Sequence, residues 1–272
     1  MRVEFFDCPL DILTTGETVS LARQAMLDRQ CKVHVSMNVA KLVNMRSNPV
    51  LTDDVRSSDI IGVDGMGIAL AAKALGYKTV ERVAGIDLFQ DLLQVCSTEG
   101  FRPFLLGATP EVLANAVGAI KAKYPTIKLA GFRDGFYAAE QEADIVADIR
   151  ASGADCLFIG MPTPRKERFL AQHKSHLGVP FIMGVGGSFD VLSGHVKRAP
   201  VSMQRLGLEW LYRTYQEPRR MWLRYCKTNT IFAGMMLLAL TRKIFSSRAQ
   251  DQAKTPTDAG SDGASYPGRK SP

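Results

Sequence analysis

The sequence predicts an α/β fold: a Rossmann-like, mostly parallel sheet with helices on both faces, followed by a C-terminal helical, membrane-associating appendage. Three observations carry this. Short apolar runs alternate with helical patterns, and from Phe104 onward the runs recur about every 25 residues, the spacing of βαβ units. Glycines stand where the runs end. A basic, aromatic stretch, Gly207-Leu-Glu-Trp-Leu-Tyr-Arg-Thr-Tyr-Gln-Glu-Pro-Arg-Arg220, precedes the apolar run Ile231-Phe-Ala-Gly-Met-Met-Leu-Leu-Ala-Leu240.

Taken in order, the candidate strands are residues 32–39, 59–63, 103–106, 128–132, 155–160 and 180–185. Helical patterns follow the later ones at 110–124, 140–152 and 165–176, and two more helices are expected to begin near Ile68 and near Asp87. The domain boundaries follow: 1–200 for the α/β domain, 201–248 for the basic amphipathic appendage and 249–272 for a tail. That tail is polar and lacks apolar residues, so it is expected to be disordered. No solenoid-type repeat is present.

The 272 residues suffice for one large domain or two small ones, and 46% hydrophobic with 22% charged residues is ordinary for a folded chain. The charge is unevenly placed. Between Gln204 and Arg248 stand nine basic residues against Glu209 and Glu217, which equals the whole formal charge of +7. Such asymmetry points to anionic lipid, phosphate or nucleic acid at that end, with a solvated basic face as the plain alternative. The run 231–240 would span about 15 Å as a helix, half of a hydrocarbon core of about 30 Å. Its flanking Arg224, Lys227, Arg242 and Lys243 fit a helix lying in the interface; a buried core helix is the other reading. Five scattered cysteines (Cys8, Cys31, Cys96, Cys156, Cys226) have no paired spacing, and the start lacks a charged-then-apolar leader. A reducing, cytoplasmic setting is expected. His34, His173, His176 and His195 share no ligand spacing, and no metal is expected.

In an open parallel sheet ligands bind beyond the carboxyl ends of strands, so the loops there carry the chemistry. Leu105-Leu-Gly-Ala-Thr-Pro-Glu111 reads as strand, glycine turn and helix start, with Thr109 as cap and Pro110 in the first helical position. Free N–H groups at Gly107 and Ala108 suit a phosphate, although a plain turn fits equally. The loop is neither a Walker loop nor a dinucleotide fingerprint, which argues against a dehydrogenase. Asp64, in Val63-Asp-Gly-Met-Gly67, places a carboxylate just past a strand, as a general base, a sugar-hydroxyl ligand or a helix cap. Asn38 ends an apolar strand at the same sheet edge, as a pocket residue or one satisfied by backbone. Arg82 offers diphosphate a planar donor fork; a surface ion pair with Glu81 or Asp87 is the alternative. Asp190 reads first as a turn or cap residue. Trp210, Trp222, Tyr212, Tyr215 and Tyr225 intersperse the arginines, which suits base stacking or anchoring at a bilayer interface. A nucleic-acid module built on this end would leave the glycine loops and the apolar run unexplained.

Taken together these blocks resemble the WecG/TagA/CpsF family of bacterial glycosyltransferases, from about Asp7 to Arg224. The resemblance rests on Asn38, Val63-Asp-Gly-Met-Gly67, Arg82-Val-Ala-Gly-Ile-Asp87, Leu105-Leu-Gly107, Gly160-Met-Pro-Thr-Pro-Arg-Lys-Glu167, Gly184-Val-Gly-Gly-Ser-Phe-Asp190, Arg198-Ala-Pro200 and, most strongly, Leu208-Glu-Trp-Leu-Tyr-Arg213 with Glu217-Pro-Arg-Arg220. It implies an inverting, metal-independent transfer of a sugar (N-acetylmannosamine-type, N-acetylmannosaminuronate or glucose) from a UDP-sugar to a polyprenyl-diphosphate-linked saccharide, without a cofactor, at the cytoplasmic face of the bacterial inner membrane. It implies a base at Asp64, with Asn38 and Arg82 also catalytic, and a pocket hydroxyl at Ser36. Gly65, Gly107, Ala108, Gly160, Gly184, Gly186 and Gly187 would approach substrate, and Arg213, Arg220 and Arg224 would reach in from the appendage. The expected partners are the donor, the lipid-borne acceptor and an anionic membrane surface, with no nucleic acid; a homo-oligomer is left open. One departure stands out. Many members read Pro-Lys-Gln-Glu where this chain has Pro164-Arg-Lys-Glu167, so Lys166 replaces a pocket glutamine. A cation there could contact the diphosphate of either substrate or favour an acidic sugar.

Overall fold

An eight-stranded sheet organises the chain. The computed structural model describes residues 1–77 and 79–253, except for the side chains of Arg220, Ile244 and residues 246–253. The elements run β1 (Arg2–Phe5), β2 (Cys8–Asp11), α1 (Thr15–Asp28), β3 (Lys32–Met37), α2 (Val39–Arg46), α3 (Pro49–Arg56), β4 (Ile60–Val63), α4 (Met66–Leu75) and α5 (Gly85–Glu99). They continue with β5 (Pro103–Gly107), α6 (Pro110–Lys123), β6 (Gly131–Arg133), α7 (Glu142–Ala151), β7 (Cys156–Gly160), α8 (Arg165–Leu177), β8 (Phe181–Gly184), α9 (Ser188–Leu192), α10 (Val201–Arg205), α11 (Glu209–Gln216) and α12 (Pro218–Ala253). The strand order is β1-β2-β4-β3-β8-β7-β5-β6. Only β1 runs antiparallel to its neighbour.

All six strands expected from the sequence form. The N-terminal hairpin is an addition. Its turn residues Phe6 and Asp7 both hold left-handed backbone, φ 51° and 60°. Such turns are signalled by Gly, Asn or Asp; Asp7 fits, but Phe6 carries no such signal. The central strands β4, β5 and β8 are buried throughout, as parallel strands covered on both faces must be. Alternate residues feed two cores. Val35, Ile61, Ile159 and Ile182 point to one side of the sheet, and Leu105, Phe158, Phe181 and Met183 to the other.

Helix starts follow their sequence signals. Thr109 accepts the Val112 N–H at 3.2 Å with Pro110 in the first turn, as expected. Asn38 and Asn48 cap α2 and α3 in the same way, and Thr14 with Glu17 forms a capping box on α1. All five cysteines are free thiols.

Helix α12 packs on α2 and α4. The run 231–240 is two-faced. Phe232 and Met235 are buried, with the Phe232 ring 6.2 Å from Phe6, whereas Ile231, Leu237 and Leu238 are exposed. One face of this run is thus packed on the core and the other is open to solvent. No helix among the described residues is long and apolar enough to cross a membrane. Residues 254–272, most of the tail expected to be disordered, lie outside the described residues.

Candidate active site

The strand order brings the first part of the sheet (β2, β4, β3) against the second (β8, β7, β5) at the β3–β8 pair. Beyond the carboxyl ends of β3, β4, β7 and β8 lies a cleft of about 660 Å³, within the range of small-molecule sites. Its floor comes from strand ends and its far wall from α11 and α12. Ser36 lies near the end of β3 with Asn38 just past it, Asp64 follows β4, Gly160 ends β7 with Thr163 beyond it, and Gly184 ends β8 with Val185 to Asp190 beyond it. Glu209, Tyr212, Arg213, Met221, Arg224 and Tyr225 close the other side.

Asp64 sits one residue past β4, and its own N–H donates to the Met37 carbonyl at 2.8 Å, which fixes it to the end of β3. It does not cap the next helix. That role falls to Gly65, whose φ of 87° turns the chain and which makes no side-chain bond. The Asp64 carboxylate is instead free to face the cleft, where it accepts the Gly85 N–H. Burial pushes this carboxyl above its ordinary range. The Arg82 guanidinium opposes the rise and the Glu209 carboxylate adds to it.

Arg82 pairs with neither Glu81 nor Asp87. Its Nη2 forms an ion pair with Glu209 and its Nη1 donates to the Gln204 carbonyl at 3.2 Å, both from the C-terminal part of the chain. Its Nε is buried without a partner. Asp87 is taken by Arg198 in a bidentate pair, 2.6 and 2.7 Å. Arg213 directs the terminal nitrogens of its guanidinium at Gly187: a Cβ built there would meet that group at 2.8–3.2 Å. Gly207 likewise lets the α10–α11 turn approach Met66, next to Gly65. Small residues at 187 and 207 thus allow the C-terminal helices to close on the β4 and β8 loops.

Lys41 and Lys166 also line the cleft and share one buried carboxylate. Glu167 is 1% exposed, and its Oε1 receives Lys41 Nζ at 2.8 Å, Lys166 Nζ at 3.2 Å and the Thr163 hydroxyl at 3.2 Å. Burial would raise the Glu167 carboxyl, but the two ammonium groups outweigh it and hold it down at about 2. Burial and the neighbouring Lys166 charge push Lys41 down to about 8.

A family model described as "Glycosyl transferase WecG/TagA/CpsF family" matches residues 3–246. The chain belongs to this family. It is accordingly a glycosyltransferase of cell-surface polysaccharide synthesis, acting on a sugar donor and an acceptor. The family match runs from β1 into α12, so it includes both walls of the cleft.

Most of the residues singled out from the sequence of this glycosyltransferase meet in the cleft: Ser36, Asn38, Asp64, Arg82, Gly160, Lys166, Gly184, Gly186, Gly187, Arg213 and Arg224. Asn38 does two things, because its Oδ1 also caps α2 by accepting the Lys41 N–H at 2.9 Å. Gly65, Gly107 and Ala108 do not line the cleft. Gly107, at φ 132°, packs its Cα side onto the Gly160 backbone, and the Ala108 N–H donates to the Gly160 carbonyl at 3.2 Å. Both residues brace β7 and are spent on backbone contacts. The Arg220 side chain lies outside the described residues. Asp190 lines the cleft from the first turn of α9 without a capping bond. Lys41, Glu167, Glu209 and Arg198 were missed. Lys41 sits three residues after Asn38, and only the tertiary structure discloses its partner Glu167. Among the described residues no cluster of His, Cys, Asp and Glu could hold a metal ion.

Proposed function

We propose that this protein moves a hexose from a UDP-sugar to a polyprenyl-diphosphate-linked saccharide, with inversion and without a metal ion. The observation that carries the reading is that Asp64, with its raised proton affinity, shares one cleft with Arg82, Arg213 and Arg224. The acceptor hydroxyl oxygen attacks the anomeric carbon in line. The bond from that carbon to the β-phosphate oxygen breaks, and UDP leaves with its electron pair. Asp64 takes the hydroxyl proton, and a carboxylate whose proton affinity is raised suits that task. Charge grows on the departing diphosphate, and guanidinium groups fixed in advance stabilise it without reorganisation. Ser36 and Asn38, at the end of β3 beside Asp64, are placed to orient the sugar or the attacking hydroxyl.

The acceptor's lipid places the reaction at a bilayer, and the outer face of α11 and α12 suits a peripheral contact there. Trp222, Leu223, Leu237, Leu238 and Phe245 are exposed on α12, with Arg219, Lys227 and Arg242 also exposed along it. Apolar and aromatic side chains within a basic surface favour an anionic membrane interface. The test is a screen of UDP-sugars against a polyprenyl-diphosphate-sugar acceptor with EDTA present. Transfer with inverted anomeric configuration is the expected result. Dependence on added metal, or activity only with a nucleotide other than UDP, would overturn the reading.

A further inference from the structure

Glu167 cannot neutralise both cations that reach it. Lys41 is the closer partner, at 2.8 Å, and Lys166 approaches the same oxygen at 3.2 Å. The other carboxylate oxygen, Oε2, is buried without a hydrogen bond. The side chains of Lys41 and Lys166 are 6% and 7% exposed, yet both line the cleft. An ammonium group carries three donors, and burial of such a charge is costly unless a counter-charge meets it. The fold takes some trouble to hold Lys166 there. A Cβ on Gly184 would fall 2.5 Å from its Cε and 2.6 Å from its Cδ, so the end of β8 has room for this side chain only because residue 184 is glycine. The repulsion between the two cations, which helps hold Lys41 below its ordinary range, shows that they share one small volume.

We propose that Lys166, held beside the Lys41–Glu167 ion pair and against Gly184, forms an oxyanion subsite in the wall of the cleft. The subsite binds an oxyanion of the sugar donor and so sets which donors are accepted. This rests on the UDP-sugar reading above. Two sources fit the chemistry: a phosphoryl oxygen of the diphosphate, or a carboxylate on the transferred sugar. Lys41 with Glu167 serves as a positioning pair, occupying the carboxylate so that Lys166 keeps donors for the ligand.

The experiment is calorimetric titration of the full-length protein with UDP, a neutral UDP-hexose and a UDP-hexuronate. Lys166→Gln is compared with Gly184→Ala, whose methyl displaces the lysine while leaving the charge in the chain. Because Glu167 keeps Lys41 and Thr163, Lys166→Gln should melt like the unmodified protein. Loss of one charge-assisted bond predicts about 10- to 100-fold weaker binding. Equal weakening for all three ligands in both variants supports the subsite and assigns the phosphoryl source. Weakening confined to the uronate supports it and assigns the sugar carboxylate. Affinities unchanged within about twofold for every ligand, in variants that melt normally, would overturn the subsite while leaving the donor reading intact. If the unmodified protein binds none of the three, the donor reading fails and this subsite with it.

Discussion

Replacing Asp64 with asparagine separates chemistry from folding. The carboxylate accepts the Gly85 N–H and caps no helix, and an amide oxygen can keep that bond. The stability sign follows from the direction of its shift. A carboxyl whose proton affinity is raised by the fold costs stability when ionised, at pH above its folded value, and that cost disappears below its unfolded value. At neutral pH Asp64→Asn should therefore melt no lower than the unmodified protein. Loss of a general base removes about 10²- to 10⁴-fold of rate. At about 1.36 kcal/mol per decade, that is roughly 2.7–5.4 kcal/mol of transition-state stabilisation. The assay is transfer from a UDP-sugar to the lipid-linked acceptor, followed as kcat/KM against pH. The unmodified enzyme should lose activity on the acid side above the ordinary carboxylate range, and the variant should lack that limb. Near-normal turnover in a folded variant would remove Asp64 from the mechanism.

Other perturbations probe the frame around it. Glu167→Ala strands two ammonium groups in the cleft wall and should cost about 3–5 kcal/mol, read from urea unfolding. In the unmodified protein the Glu167 contribution is present above the ordinary carboxylate range and is lost as pH falls toward about 2, which acid unfolding of the two proteins can compare. Gly107→Ala combines a left-handed φ of 132° with a Cβ only 2.6–2.8 Å from the Gly160 backbone; a loss of at least about 1–3 kcal/mol in the same unfolding experiment is expected, and unchanged stability would contradict the bracing role. Ending the chain after Gln204 should abolish transfer and liposome binding. Full activity of that truncated protein on a lipid acceptor would refute a catalytic role for α11 and α12. Liposome binding of the intact protein should weaken with salt, since each basic residue near an anionic surface contributes about 1 kcal/mol.

The sheet was legible because its signals are local. Apolar runs bounded by Gly65, Gly107 and Gly160, with Thr109-Pro110 opening a helix, depend on neighbours a few residues away. Parallel topology then put every strand-end loop on one edge, and so brought Asn38, Asp64 and Gly184 together without further information. The hairpin β1–β2 was not legible, because Phe6 adopts by context a left-handed turn conformation that its residue type does not announce.

Charge partners are another matter. From sequence, Arg82 had Glu81 and Asp87 as its nearest acids, yet it pairs with Glu209, 127 residues away, while Asp87 goes to Arg198. Glu167 stood in the sequence only as the end of the Gly160-to-Glu167 block, and only the fold delivers Lys41, 126 positions earlier, to it. The amino-acid order determined the α/β sheet and the edge on which its strand-end loops lie, since these follow from backbone periodicity. Which cation pairs with which acid was decided by tertiary structure alone. Electrostatic pairing depends on distance through space and on burial, and neither is a property of a residue's neighbours in the chain.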